Sequence, residues 1–284
     1  MNRLIYTGVR AVFTPEDLAA VAAGLGCEVA ALRAVLEVEC RGSGFYMDGR
    51  LTMLYEPHIA YRYATAAVRK ELMSAGIGHP TAGVIKYPGS AALRYQQFEQ
   101  CALIGGVELA CMACSWGLPQ GMGFNHRAFG YDSAQQMVKA FAEGGEREQL
   151  EGMGRFIIAN PSMHRALIRK NWASFAYAYN GSAYAKNRYD EKLASAYLKF
   201  RPRTESTKIT RLLKRGMKGE DVRAYQLMLS TAGFIVDVDG DFGRITEQET
   251  RAFQSANRLV SDGIAGPKTV EALEALTAGK INNP

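Results

Sequence analysis

The sequence predicts a mainly α-helical protein in two parts. An α+β domain over residues 1–200 carries one small β-hairpin, and an all-α domain of three helices spans residues 209–284. Three observations predict this. The chain has 284 residues, more than the roughly 100–200 of a typical domain. The stretch Arg201-Pro-Arg-Thr-Glu-Ser-Thr-Lys208 contains no apolar residue and reads as a linker over 201–208. Downstream of it, Asp239-Gly240-x-x-Gly243-x-x-Thr246 returns as Asp262-Gly263-x-x-Gly266-x-x-Thr269.

Composition excludes several classes. Apolar residues make up 48% and charged residues 22%, ordinary for a globular chain, which argues against disorder or a fibrous repeat. No run approaches the ~18 apolar residues of a membrane span. Met1 to Phe13 lacks a continuous apolar stretch and a small-residue cleavage site, so no secretory signal is expected. Five cysteines (27, 40, 101, 111 and 114) are an odd number; no disulfide framework is expected, and a reducing cytoplasm suits them. The net charge of +6 favours an anionic partner. Its densest run, from Lys199 to Lys218, has no nucleic-acid motif around it and reads as a solvated interdomain segment.

The elements follow in order. Thr14-Pro15-Glu16-Asp17 starts a helix, with Thr as N-cap, Pro at the first position and acids in the first turn. A second helix begins near Cys27-Glu28 and runs to about Cys40. Glu39 falls on its apolar face with Leu32 and Val35, whereas Glu37 points away. A carboxyl on such a face is costly as an anion, so its pKa is expected to rise toward that of a general acid. The pattern is equally met by a helix-end Glu that swings out to water. Residues 45–54 read as two short strands around the Asp48-Gly49 turn, and that turn suffices to explain Asp48. Leu54-Tyr55-Glu56-Pro57-His58 ends the hairpin and starts another helix. A Glu at a helix end followed by a small hairpin with a second carboxylate resembles the layout of lysozyme-type glycosidases, which need two carboxyls flanking a sugar bond.

Ser115 to Asn125 is a glycine-rich aromatic loop. Trp172 and Phe175 read as core, while Tyr179 and Asn180 stand at a helix C-terminus before Gly181, suited to meet a ligand. In the repeat, Asp-Gly makes the turn, the second Gly permits positive φ and Thr caps the next helix. Helices are expected over Thr250–Ala256 and Val270–Leu276, with another led in by Gly219-Glu-Asp221. Asp237 to Asp241 lacks the later bidentate Glu of a calcium loop. The four histidines are scattered, and Cys111-x-x-Cys114 lacks a second pair, so no metal site or cofactor is expected and these cysteines read as core.

Two resemblances cover nearly the whole chain. Gly216-x-x-Gly219, Val222, Gln226, Gly233, both copies of the repeat and Phe253-Gln254 resemble the three-helix peptidoglycan-binding module of cell-wall hydrolases. Its exposed edge near Asp239, Phe242 and Arg244 is then the candidate wall contact. Residues 10–200 resemble the N-acetylmuramidase domain of bacteriophage endolysins, within the lysozyme-like superfamily. The carriers are Glu39-x-x-Gly42-Ser43-Gly44-Phe45, Leu54-Tyr55-Glu56-x-His58, Ser115-Trp116-Gly117-Leu118-x-Gln120-x-Met122-Gly123-Phe124-Asn125, Gly130-Tyr131 and Tyr179-Asn180-Gly181-x-x-Tyr184. Departures are Cys40, Pro57 and Gly121.

The resemblance implies hydrolysis of the β-1,4 bond between N-acetylmuramic acid and N-acetylglucosamine, with Glu39 as the catalytic acid. Glu56 would stabilise positive charge, orient water or attack. Substrate contacts are expected from His58, Ser115, Gln120, Asn125, Tyr179 and Asn180. The implied partner is peptidoglycan, with no nucleic acid, no stable membrane insertion and a monomeric chain that waits in the host cytoplasm for a holin. A lytic transglycosylase forming 1,6-anhydro ends and a non-catalytic wall-binding virion protein are the rival readings; a metal amidase and a Cys/His protease are disfavoured.

Overall fold

The computed structural model describes residues 6–8, 10–40, 42–201 and 209–281, so all of the linker at 201–208 except Arg201 lies outside the described residues. In chain order the elements are α1 (Pro15–Gly24), α2 (Val29–Glu39), β1 (Met53–Tyr55), α3 (Pro57–Tyr63), α4 (Ala66–Ser74), α5 (Ala91–Gly105), α6 (Val107–Met112), β2 (Cys114–Trp116) and β3 (Gly121–Met122). There follow α7 (Ala134–Glu143), α8 (Gly145–Ala159), α9 (Pro161–Arg169), α10 (Trp172–Asn180), α11 (Tyr189–Phe200), α12 (Glu220–Thr231), α13 (Arg244–Ala256) and α14 (Pro267–Ile281). Short 3-10 turns occupy Gly123–Asn125 and Gly181–Asn187. Two units divide the chain: residues 1–21 with 39–159, and residues 22–38 with 160–284.

In the first unit α1 starts as expected. Thr14 N–H donates to Asp17 Oδ2 at 2.8 Å and Asp17 N–H to Thr14 Oγ1 at 3.1 Å, a reciprocal cap with Pro15 at the first helical position. The sheet differs from the expected hairpin. Asp48-Gly49 does turn the chain, with Gly49 at φ 80°, but single bridges, Phe45 to Leu51 and Thr7 to Arg50, replace strands. Thr52 is the handover: its N–H donates to Gly44 O and its C=O accepts from Gly117 N–H, both at 2.8 Å. Beyond it β1 pairs with β2, which pairs with β3, in an antiparallel sheet of order β1-β2-β3. Met53 and Tyr55 point into the core, and their strand partners lie in the segment 114–116 rather than across a tight hairpin.

That core is aromatic. Phe98 meets Trp116 edge-on at 5.4 Å and 89°, and Tyr6 meets Trp116 at 5.7 Å and 81°. Cys101, Cys111 and Cys114 are buried with them, and burial pushes the Cys101 thiol up to about 11 and the Cys111 thiol up to about 12. Cys111 and Cys114 are thus core residues, as the sequence suggests.

In the second unit a buried lysine staples three segments. Lys170, in the left-handed conformation after α9, reaches Glu28 Oε1 at 2.9 Å, and Tyr197 OH on α11 donates to Glu28 Oε2 at 2.6 Å. Burial opposes ionisation of Glu28, but the hydrogen bonds from Tyr197 and Lys170 outweigh it and hold the carboxyl below its usual range. Trp172 and Phe175 are buried, as expected of core residues.

The repeat is held by two glutamines. Gln226 on α12 accepts from Gly240 N–H at 2.7 Å and donates to Asp239 Oδ1, Asp241 O and Thr246 Oγ1 at 2.8, 2.9 and 3.1 Å. Gln254 on α13 accepts from Gly263 N–H at 2.9 Å and donates to Asp262 Oδ1, Ile264 O and Thr269 Oγ1 at 2.8, 2.9 and 3.1 Å. Two details differ from expectation. The first glycine of each copy takes the positive φ (Gly240 80°, Gly263 73°), while Gly243 sits at −82°. Thr246 does not cap α13, which starts two residues earlier at Arg244; its hydroxyl, like that of Thr269, is turned inward to the glutamine.

Gln226→Ala is expected to strip a buried loop of four hydrogen bonds, costing about 2–4 kcal/mol by urea unfolding, with Gln254→Ala a matching loss. The Lys170 staple carries a pH dependence. Because the Glu28 pKa is lowered on folding, its contribution is present above the ordinary carboxylate range and is lost as pH falls through it. The Glu28 side chain is 45% exposed, so screening limits the loss in Lys170→Met to about 1 kcal/mol at pH 7. That loss is expected to shrink as pH falls below the ordinary carboxylate range and through the lowered pKa of Glu28.

Candidate active site

The carboxylates singled out by the sequence are both placed by element ends. Glu39 is the last residue of α2 and is half-buried, while Glu37 is exposed and paired with Lys199 Nζ at 2.7 Å. Its carboxyl therefore stands at a helix C-terminus, where the helix dipole disfavours negative charge. Cys40, next in the chain, is pushed up to about 12 by burial and then by the charges of Glu39 and Glu146, which makes it a poor nucleophile.

Two side chains of α8 anchor the loop after Glu39. Glu146, buried in the first turn, accepts from Ser43 Oγ and from Gly44 N–H, both at 2.8 Å. Gln149, fully buried, accepts from Leu118 N–H at 2.7 Å and donates to Phe141 O at 3.1 Å. A Cβ on Gly44 would lie 2.1 Å from Gln149 Oε1, and one on Gly117 would lie 2.7 Å from it. A side chain at either position would displace the Gln149 amide from Leu118 N–H and Phe141 O. Thr52 Oγ1 donates to Ser43 O at 3.0 Å, tying the same loop to the sheet.

Glu56 sits where β1 becomes α3. Its N–H donates to Ala113 O at 2.8 Å, extending the β1–β2 pairing, and Pro57 opens the helix. Its carboxylate does not cap α3. Instead Tyr87 OH donates to Oε2 at 2.8 Å, and His58 Nδ1 lies 3.3 Å from the same oxygen. Burial, then the hydrogen bond and charge of Glu56, push the Tyr87 hydroxyl up to about 12, so it remains a donor across working pH.

The other predicted residues divide. Ser115 is buried and donates to Gln120 Oε1 at 2.9 Å, and Gln120 Nε2 donates to Gly117 O at 2.7 Å, so these two brace the β2–β3 turn. The Asn125 amide makes no hydrogen bond among the described residues and is half-buried. Tyr179 and Asn180 end α10 in the second unit, Tyr179 stacking on Phe175 at 5.8 Å. Asp48 is held by Arg50, whose Nε lies 2.8 Å from Oδ2. In the C-terminal segment, Phe242 is fully buried, stacked on Tyr225 at 5.8 Å, and is corrected from wall contact to core. Asp239 is exposed but is occupied by Gln226 and Asp241 N–H; Arg244 is exposed and donates to Gln248 at 3.0 Å.

Sequence reasoning missed Tyr87, and it missed Tyr63, which ends α3 44% exposed and stacks on Phe124 at 5.5 Å. Tyr63 lies seven residues after Glu56, two turns along one helical face, so periodicity held that signal. Tyr87 lies in an irregular stretch that periodicity does not reach. Among the described residues no group of three or more His, Cys, Asp or Glu is placed to hold a metal ion, and no single helix is long and apolar enough to cross a membrane.

The N-acetylmuramidase family model matches residues 28–201, from the helix that carries Glu39 through both carboxylates. The chain belongs to this N-acetylmuramidase family. A second model, for a putative peptidoglycan binding domain, matches residues 218–273 and so takes in both copies of the repeat. The crystal structure of a Burkholderia AP3 phage endolysin is similar at 41% identity and TM-score 0.60, over 66% of this chain and 71% of that one. Curated relatives match over shorter spans. An N-acetylmuramoyl-L-alanine amidase, CwlL, of Bacillus licheniformis is 38% identical over 27% of this chain and 22% of its own. A zinc D-Ala-D-Ala carboxypeptidase of Streptomyces albus G is 41% identical over 22% of this chain and 26% of its own. The chain thus spans about a quarter of the length of these curated relatives.

The Gly44 contact is testable. Gly44→Ala is expected to force Gln149 off Leu118 N–H and cost about 2 kcal/mol in urea unfolding, with lower turnover because the loop after Glu39 shifts. Gly42→Ala, where a Cβ meets nothing within 4 Å but φ is 110°, reports backbone strain without that clash.

Proposed function

We propose that this chain is a peptidoglycan hydrolase of the endolysin type, cleaving the β-1,4 bond between N-acetylmuramic acid and N-acetylglucosamine. The observation that carries the reading is the pair of carboxyls in two different environments. Glu39 is half-buried at the C-terminal end of a helix, where the helix dipole disfavours negative charge. Glu56, where β1 becomes α3, accepts a hydrogen bond from the Tyr87 hydroxyl at 2.8 Å. Two carboxyls in different surroundings divide the work of acid and counter-charge. Glu39 protonates the leaving glycosidic oxygen, and Glu56 stabilises the oxocarbenium-like centre, orients water or attacks it. Asn125, whose amide makes no hydrogen bond among the described residues, offers it to an N-acetyl or hydroxyl group.

Residues 1–200 cut and residues 209–284 hold the enzyme at the wall; matches of both family models and the likeness to a phage endolysin support this division. The exposed Asp239 and Arg244 remain candidate wall contacts. A chain that acts alone, stays in the host cytoplasm and reaches the wall when a holin opens the membrane fits the same reading. Glu39→Gln is expected to lower turnover on purified peptidoglycan at least about 100-fold. Co-sedimentation with the wall stays at the wild-type level. Clearing of wall suspensions at the wild-type rate by this variant overturns the assignment.

A further inference from the structure

Glu56 presents its two oxygens unequally. Tyr87 OH at 2.8 Å and His58 Nδ1 at 3.3 Å both meet Oε2. Among the described residues, no hydrogen bond or ion pair engages Oε1. The carboxylate side chain is only 15% exposed and is not spent on capping α3, whose first position is Pro57. Its backbone is fixed on both sides, by the bond to Ala113 O and by the helix it opens. A carboxylate clamped through one oxygen on a fixed backbone has one remaining direction in which to act.

Tyr87 is itself supported. Pro88 O accepts from Arg94 Nε at 3.0 Å, and Arg94 Nη1 donates to Tyr46 OH at 3.2 Å. Tyr46 OH in turn donates to Met53 O on β1 at 2.9 Å. The hydroxyl that holds Glu56 is thus tied back, through Arg94 and Tyr46, to the strand that leads into Glu56. Tyr87 is 46% exposed, so packing of the core does not account for the residue.

We infer that Tyr87, assisted by His58, is a positioning residue that clamps Glu56 through Oε2 and leaves Oε1 directed at the reacting sugar. This rests on the role proposed for Glu56. His58 then serves the carboxylate rather than the substrate, contrary to the sequence expectation. Removing the hydroxyl lets the carboxylate rotate, so the step Glu56 assists slows while substrate binding is unchanged.

The test is a double-mutant cycle on soluble peptidoglycan fragments, with Tyr87→Phe, Glu56→Gln and the double variant, each checked for an unchanged melting temperature. Tyr87→Phe is expected to lower kcat about tenfold, the effect of one hydrogen bond to a charged group, with KM within about twofold. In the Glu56→Gln background, assayed at high enzyme concentration, the same change is expected to cost nothing further. A Tyr87→Phe kcat within about twofold of wild type overturns the inference, as does an equal tenfold loss in the Glu56→Gln background. Glu56→Gln turning over at the wild-type rate instead removes the role of Glu56, and the inference with it.

Discussion

Two buried polar side chains on the first turns of α8, Glu146 and Gln149, tie together segments far apart in the chain. Glu146 takes the Ser43 hydroxyl and the Gly44 amide; Gln149 takes the Leu118 amide and packs against Gly44 and Gly117. A buried carboxylate with two donors near a helix N-terminus is among the stronger polar contacts available to a fold. The loop after Glu39 and the turn after β2 therefore share one anchor. Neither glycine has room for a side chain without displacing Gln149, so the anchor restricts sequence at 44 and 117 as well as geometry.

A second constraint sets the other carboxylate. Thr52 hands the chain from the 44–46 segment to β2, and that handover puts Glu56 at the end of a paired strand and the start of a helix. Pro57 has no N–H to satisfy, and the N–H groups of Ile59 and Ala60 go to the Glu56 backbone carbonyl, so the carboxylate does not cap α3 and meets Tyr87 and His58 instead. The site is thus built from element ends held by buried hydrogen bonds, and the aromatic cluster of Phe98, Trp116 and Tyr6 keeps the sheet in place behind it.

Much of this was legible in the sequence, for identifiable reasons. Thr14-Pro15 and Asp17 spelled out a helix start, the 3.6 period separated Glu39 from Glu37, and the D-G-x-x-G-x-x-T copies announced a repeated loop. What was not legible depended on distant partners. The hairpin over 45–54 looked complete locally, yet Met53 and Tyr55 find their strand partners at residues 116 and 114. The threonines of the repeat looked like caps, because nothing local says that Gln226 and Gln254 reach across to them. Phe242 looked like an exposed edge because an Asp-Gly turn precedes it, but the turn folds the ring under onto Tyr225. Tyr87 carries no periodic or motif signal at all, and only three-dimensional proximity reveals it.

The central claim is that this frame places two carboxyls to hydrolyse a glycosidic bond. It is tested most directly by digesting peptidoglycan in water enriched in heavy oxygen and weighing the released sugars. The account predicts reducing N-acetylmuramic acid ends that each carry one heavy oxygen from solvent. Unlabelled 1,6-anhydro ends would contradict it, since they form when the sugar's own hydroxyl takes the place of water.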